Sequence, residues 1–159
     1  MLAGCITNDR VRVEVGSEDL SGTYRFEGLR RNRPEQFPNP LINWADVALP
    51  SEVRFEQRDG ERLVVQYTDT AGRPVQKEVQ LRGTSGISFK RGVLTFRAQV
   101  PLQDAPIFPG AVKQYAGAKY LRDENGNLRV IGFFTARGLM LYLFPFVDYH
   151  EYDLVLEAV

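Results

Sequence analysis

The side chains best suited to chemistry lie close together near the end of the sequence, in Asp148-Tyr149-His150-Glu151-Tyr152-Asp153, which holds the only histidine. On a strand, Asp148, His150 and Tyr152 would share one face, where an aspartate–histidine pair can act as a base or as part of a metal site. Such chemistry also needs a positioned partner, and one histidine without a nearby serine or cysteine nucleophile does not supply it. We therefore interpret the segment as a solvated turn before the last strand, and predict no catalytic residue, no metal site and no enzymatic activity.

Binding sites for ions and nucleotides are also not predicted. Asp123-x-Asn125-Gly126-Asn127 is similar to the start of a calcium loop, but its glycine stands at the fourth position and Phe134 occupies the twelfth, so we interpret it as a hairpin turn. No glycine-rich phosphate loop occurs, which predicts no cofactor. Twenty basic and twenty acidic residues give a net charge of zero, which disfavours nucleic acid as a partner.

The single cysteine, Cys5, excludes an internal disulfide and a multi-cysteine zinc site. Leu2-Ala3-Gly4-Cys5 resembles the lipobox of bacterial lipoproteins, in which an aliphatic residue and two small residues precede the lipidated cysteine. The resemblance implies an export signal peptide, a diacylglycerol and an N-acyl chain on Cys5, and a durable membrane anchor. Ile6 follows where an aspartate would favour inner-membrane retention. The resemblance therefore implies a cell-envelope protein that is anchored to the outer membrane and faces the periplasm.

Alternating apolar and polar residues recur along most of the chain, and turn residues separate them at intervals of roughly 5–12 residues. These reversals come too quickly for the crossover helices of a parallel sheet, so the strands must be antiparallel neighbours. We expect a tether over residues 1–20, with residues 11–15 as an edge strand or an extended segment, and one domain over 21–159. The domain is predicted to be all-β, with eight to ten strands in meander order at 21–28, 53–57, 63–67, 75–81, 87–90, 93–100, 118–122, 128–135, 139–144 and 152–159.

Two stretches depart from this pattern. Asn39 and Pro40 are followed by apolar residues at 41, 45, 48 and 49, which predicts one short helix with Asn39 as its N-cap. Residues 101–117 contain three prolines and two glycines and are predicted to be a long loop. Residues 136–138 are predicted to be a turn.

Closure of the meander into a barrel would remove its two exposed edges. Gly22-Thr23-Tyr24 near the first strand, about eight meandering strands and a helix outside the sheet resemble the lipocalin-like group of small barrels. The resemblance covers about residues 21–159 and implies a closed lipocalin-like barrel with the short helix packed outside. We predict that aromatic side chains line its interior and bind a ligand: Tyr24, Phe26, Phe55, Tyr67, Phe89, Phe96, Phe108 and Tyr142.

Residues 130–134 and 139–144 are apolar on both faces, although a barrel strand normally alternates. Something must cover their outer side, because exposing leucine-sized groups forfeits about 1.5–3 kcal/mol each. We favour the helix around Trp44 as the cover. The alternatives are a membrane surface or a homodimer formed through Leu139, Leu141 and Leu143.

Two functions of different classes follow from these expectations. In the first, an envelope lipoprotein binds or carries a small apolar molecule such as a fatty acid, with residues 101–117 over the mouth of the barrel. In the second, bulky inward side chains such as Phe26, Phe55 and Phe96 fill the barrel, which then serves as a protein-interaction or structural module of the envelope.

Overall fold

Strands account for nearly all of the regular structure in the computed structural model, which describes residues 5–6, 13–27, 41–99, 110–140 and 144–159. Within those ranges the prediction of an all-β fold is confirmed. The strands are β1 (Cys5–Ile6), β2 (Val15–Ser17), β3 (Gly22–Phe26), β4 (Ser51–Arg58), β5 (Arg62–Thr68), β6 (Pro74–Gln80), β7 (Ile87–Lys90), β8 (Val93–Gln99), β9 (Gly110–Asp123), β10 (Leu128–Met140) and β11 (Phe144–Ala158).

Nine of these strands form one continuous sheet in the order β6-β5-β4-β3-β11-β10-β9-β8-β7. Every neighbouring pair along this path is antiparallel, as the meander prediction requires. β11 lies in the middle, where its last residues pair with β3 and most of its length pairs with β10. β1 pairs with β11 in parallel, and β2 pairs with the end of β9.

The sheet curls so that its two halves face each other across the core. Phe55 on β4 and Tyr120 on β9 have ring centroids 6.0 Å apart, although β3, β11 and β10 separate their strands in the sheet. Only strong curvature brings such positions together, because neighbouring strands are themselves about 4.8 Å apart. The described strands therefore form a curled half-barrel.

The two edges of this half-barrel, β6 and β7, are not joined by hydrogen bonds in the part of the chain that the structure describes. Eight antiparallel steps separate them, so β6 and β7 run in the same direction. Side-by-side parallel pairing ordinarily needs a crossover of a dozen or more residues, whereas only residues 81–86 connect these strands. The sequence predicts the meander, but the closed barrel is not seen in the described pairing.

The prediction of a helix packed outside the sheet is wrong for residues 41–49. They contain a single 3-10 turn, Trp44–Asp46, whose cap Asn43 accepts a hydrogen bond from the Ala45 N–H. The chain then bonds to the turn between β5 and β6: Ala48 N donates to Thr68 O and Thr70 N donates to Asp46 O, each at 2.9 Å. Asn39 and Pro40 lie outside the described residues.

The packing of the segment explains why a helix does not form. Trp44 is buried, and its ring lies 5.1 Å from the ring of Phe26 in the main core. Leu41, Ile42 and Val47 join the same core cluster. Burial of these four side chains among core residues therefore overrides the helical pattern, and the segment is not the outer cover predicted for residues 130–134.

β9 and β10 are longer than predicted. β9 begins at Gly110, so residues 110–117 are strand instead of loop, while residues 101–109 lie outside the described part. β10 continues through residues 136–138, where a turn was expected. Both strands extend because they pair with each other without interruption from Leu128↔Arg122 to Met140↔Gly110.

The predicted tight turns are present. Gly60, Gly72, Gly92 and Gly126 all have positive φ, the left-handed conformation that glycine adopts without strain. Among the described residues, no helix is long and apolar enough to cross a membrane.

Candidate functional site

The interior of the half-barrel contains most of the aromatic residues predicted to bind a ligand. Five of them are buried in one core cluster, and Phe89 packs against that cluster while partly exposed. Phe108 and Tyr142 lie outside the described residues. The five buried residues are Tyr24, Phe26, Phe55, Tyr67 and Phe96.

A chain of ring contacts crosses the middle of this interior. Tyr24 meets Phe55 edge-on with centroids 5.8 Å apart, and Phe55 lies 6.0 Å from Tyr120. Tyr120 in turn meets Phe96 edge-on at 5.8 Å. Such arrangements contribute packing energy beyond burial alone, so the central layer is filled by side chains. Tyr120 lies within the strand predicted at 118–122 but is not among the residues predicted to bind a ligand; its alternation with Ala116 extends beyond that predicted strand.

The end of the interior near Leu20 is closed by hydrogen bonds. The Tyr24 hydroxyl donates to the Leu20 carbonyl at 2.9 Å. Burial raises the pKa of Tyr24, and the positive charge of Arg122 offsets this only in part. The Arg122 guanidinium donates to the carbonyl oxygens of Ser21 and Gly126 at 3.3 and 3.2 Å. At this end, a neutral phenol and a charged guanidinium therefore both donate hydrogen bonds to backbone carbonyl oxygens.

The end near Phe26 is different, because two polar atoms there are buried without a hydrogen-bond partner in the described part of the chain. Ser51 stands directly opposite Phe26 in the β3–β4 register, and Trp44 packs on the Phe26 ring. Trp44 Nε1 and Ser51 Oγ are both shielded from solvent and unpartnered. A buried polar atom without a partner costs about 1–3 kcal/mol, so this pair is a candidate binding feature.

An apolar seam runs along the two unpaired sheet edges. The partly buried apolar residues that pack on the core are Val75 and Val79 on β6 and Ile87 and Phe89 on β7. Lys77 lies between the two valines on the same inward face, opposite the buried Val65. The seam is therefore where the core comes closest to solvent along a sheet edge.

A polar cluster on the outer face joins β9 to β11. Lys119 Nζ lies 2.8 Å from Glu151 Oε1 and 3.1 Å from the Tyr149 hydroxyl, and that hydroxyl is 2.5 Å from Glu151 Oε1. The Glu151 side chain is only 3% exposed. The Lys119 ammonium also lies 5.5 Å from the centroid of the Phe133 ring, close enough for a cation–π contact.

The electrostatics of this cluster favour a charged lysine and a neutral tyrosine. Burial lowers the pKa of Lys119, but hydrogen bonds to Glu151 and Tyr149 outweigh it and the net pKa is raised. Burial raises the pKa of Tyr149, and its hydrogen bond to Glu151 raises it further. The Lys119 ammonium and the Tyr149 hydroxyl both donate to the Glu151 carboxylate, and this arrangement is suited to linking β9 to β11.

The interpretation of residues 148–153 as a solvated turn is wrong, because the whole segment lies within β11. Tyr149, Glu151 and Asp153 face outward, and Asp153 forms an ion pair with Arg129 on β10. The buried acid is Glu151, which lies on the opposite face from the predicted pair Asp148 and His150. The side chains of Asp148, His150 and Tyr152 lie outside the described part.

The outer face of β9 and β10 is covered, since Leu121, Ile131 and Phe133 are each no more than 5% exposed. The Trp44 segment does not provide this cover, because it packs inside. Of the predicted homodimer surface, Leu141 and Leu143 lie outside the described residues, as does the side chain of Leu139.

Cys5, the predicted lipidation residue, begins β1. The backbone of Cys5 is aligned with that of Phe146, and Ile6 with Val147, in parallel with β11. Within the described part of the chain, no three histidine, cysteine, aspartate or glutamate residues are grouped so that they could hold a metal ion. Comparisons with protein-family models, with curated proteins and with solved structures found no match to this chain.

Proposed function

We propose that this chain is a lipid-anchored protein of the cell envelope whose curled sheet binds a small apolar molecule such as a fatty acid. The observation that carries the proposal is the seam: the four partly exposed apolar residues of the core lie on the two unpaired edges. Small-molecule sites are typically concave and mostly apolar. An apolar ligand that enters between β6 and β7 would cover Phe89 and its neighbours.

A lipid extract of the purified protein, analysed by mass spectrometry, tests this function. Phe89→Glu places a charge in the seam and is expected to abolish a co-purifying lipid. Ser88→Glu is the matched control, because Ser88 is exposed on the opposite face of β7. If the wild-type protein carries no lipid, or if both variants keep it, the ligand-binding proposal fails.

The second candidate is a filled barrel that serves as a protein-interaction or structural module of the envelope. The ring contacts from Tyr24 to Phe96 favour it, because they occupy the middle of the interior. A protein without co-purifying lipid, whose envelope partners are captured by crosslinking in cells, would favour this function over ligand binding.

The lipid anchor is a separate part of the proposal. Cells fed radiolabelled palmitate should label the protein, and Cys5→Ser should remove the label. Incorporation that survives the substitution would contradict lipidation at Cys5. We further propose an outer-membrane location, so Ile6→Asp should move the protein to the inner-membrane fraction while the palmitate label remains.

We also propose that the sheet closes as a lipocalin-like barrel, with β6 and β7 meeting through side chains across the seam. Spin labels at the exposed positions Gln76 on β6 and Ser88 on β7 test this closure. A single short distance between the labels is expected if the two edges meet, and a long or broad distance distribution would contradict closure.

A further inference from the structure

Two unpartnered polar atoms lie at the same place in the fold, the end of the interior near Phe26. Phe26 and Ser51 are directly opposite on neighbouring antiparallel strands, which places their Cβ atoms about 4.5–5.5 Å apart on one face. The Trp44 ring lies 5.1 Å from the Phe26 ring. Trp44 Nε1 and Ser51 Oγ therefore flank one aromatic ring, and neither has a hydrogen-bond partner among the residues that the structure describes.

The chemistry of the two atoms defines what could bind them. An indole N–H only donates, whereas a serine hydroxyl both donates and accepts, so together they suit an acceptor oxygen. Leu41, Ile42 and Val47 in the same core cluster are apolar. Among these apolar side chains a neutral carbonyl oxygen loses less hydration free energy than a carboxylate or phosphate does.

We propose that Trp44 Nε1 and Ser51 Oγ form a polar subsite that binds an uncharged acceptor oxygen, such as a ketone or ester carbonyl, of an otherwise apolar ligand. This inference rests on the proposed ligand-binding function. It narrows the ligand class from apolar molecules in general to neutral carbonyl-bearing lipids, with the carbonyl at the Phe26 end.

The test uses two probes of equal shape, 2-dodecanone and dodecane, added to the 15N-labelled protein. Trp44 is the only tryptophan, so the indole N–H gives a single resonance that reports directly on its hydrogen bond. We expect the ketone to bind about tenfold more tightly than the alkane, the size of one net hydrogen bond, and to move the indole proton signal downfield. Dodecane should leave that signal nearly in place.

Variants assign the effect to the subsite. Ser51→Ala should reduce the preference for the ketone several-fold while alkane binding is kept. Ser88→Ala is the matched control, because it removes a serine hydroxyl from the exposed face of β7, and it should leave the preference unchanged.

The outcomes separate this inference from the function on which it rests. Equal binding of both probes with an unmoved indole signal would overturn the polar subsite and leave apolar ligand binding intact. An indole signal that is already downfield without ligand, and that neither probe changes, would identify an internal water as the partner and overturn the subsite. Binding of neither probe would overturn the ligand-binding function itself.

Discussion

At the scale of single residues, Lys119 connects two strands that are not neighbours in the sheet. It extends from β9 across β10 to Glu151 on β11, beside the ring of Phe133. Breaking a buried ion pair from one side is costly because the remaining charge loses its counter-ion. The stability of the sheet centre should therefore depend on this lysine.

Lys119→Met tests that dependence. We expect the free energy of unfolding to fall by about 3 kcal/mol, because the buried carboxylate of Glu151 loses its ion pair with the Lys119 ammonium. Urea denaturation followed by circular dichroism measures the change. Arg58→Met is the control, since the Arg58–Glu56 pair is about 40% exposed on both sides and should contribute little. Equal effects of the two substitutions would show that the Lys119 pair contributes no more than a surface pair.

Asp69 shapes the turn between β5 and β6, and its effect should depend on pH. Its carboxylate accepts hydrogen bonds from the Arg73 and Ala71 N–H groups and from the Arg73 side chain. The backbone hydrogen bond from Arg73 is the main cause of the lowered pKa of Asp69, and the Arg73 side chain lowers it further. Because the pKa of Asp69 is lower in the folded protein, its ionised carboxylate stabilises the fold fully above the ordinary pKa of 3.8. This stabilisation is lost as the pH falls from 3.8 through the lowered pKa.

Asp69→Ala should accordingly lower the melting temperature at pH 7, and the difference from the wild type should shrink as the pH falls toward 2. Thermal melts over this pH range measure it. Asp59→Ala is a suitable control, because the Asp59 side chain is 81% exposed in its contact with Arg62. A difference between Asp69→Ala and the wild type that stays constant with pH would contradict the assigned role.

The sequence shows which aromatic residues turn inward, because alternation along a strand is a local property. It does not show the partners of Glu151, because Lys119 lies on another strand and the contact depends on the register of three strands. Nor does it show that Trp44 Nε1 lacks a partner, since that depends on how residues 41–49 pack.

At the scale of elements, Gly117 illustrates why the length of β9 was underestimated. Glycine ordinarily ends a strand pattern, but here the ring of Phe133 and the carbonyl of Phe96 occupy the space where a side chain would begin. Phe133 stands opposite Gly117 in the β9–β10 register. The strand can therefore include a glycine at position 117, because a larger residue would not fit there. This requirement comes from the neighbouring strands and cannot be predicted from the residues around Gly117.

Gly117→Ala should destabilise the protein by about 3 kcal/mol, because the new methyl group overlaps the backbone carbonyl of Phe96. Gly60→Ala is the matched control: its methyl group meets nothing within 4 Å, so only the positive φ of 64° opposes it, at about 1 kcal/mol. Denaturation midpoints of the two variants compare the costs. If Gly117→Ala is the milder change, β9 and β10 do not pack as described.

Residues 41–49 show the reverse error, in which a local pattern predicts too much regular structure. Their spacing of apolar residues fits a helix, and the Asn43 side chain does cap a turn. Four apolar side chains of the segment nevertheless enter the core: Leu41, Ile42, Trp44 and Val47. In a helix these four positions would not all lie on one apolar face, so a surface helix could not bury them together. Tertiary packing therefore decides the local conformation.

At the scale of the whole molecule, the two sheet edges need protection from other chains. Lys77 lies on the inward face of edge strand β6 between Val75 and Val79. Charged residues that point inward on edge strands discourage pairing with a second chain. Pro74 at the start of the same strand has no N–H to offer.

Lys77→Val should therefore raise the rate of aggregation several-fold, as measured by light scattering at 37 °C, because β6 becomes a continuous apolar edge. Arg54→Val loses the same charge on β4, which is paired on both sides, and should aggregate at nearly the wild-type rate. Similar rates for both variants would mean that net charge, not the edge, controls association.

The meander order of the strands can be predicted from the short reversals in the sequence. Closure of the sheet into a barrel cannot be predicted in this way, because it depends on how many strands the sheet contains. An even number of antiparallel strands can form a ring in which every neighbour is antiparallel, and nine cannot. The nine-strand path counts β3 and β11 as neighbours, a contact between residues far apart in sequence that no local pattern reveals.

The central position of β11 has a consequence for the nascent chain. All other strands of the path are synthesised before it, yet β11 joins β3–β6 to β7–β10, with Val159 N donating to the Thr23 carbonyl at 3.0 Å. Two half-sheets can form on the ribosome, with β2 pairing on β9, but the nine-strand path is completed only when β11 has been made. Assembly of the complete sheet is therefore expected to follow the synthesis of the last residues of the chain.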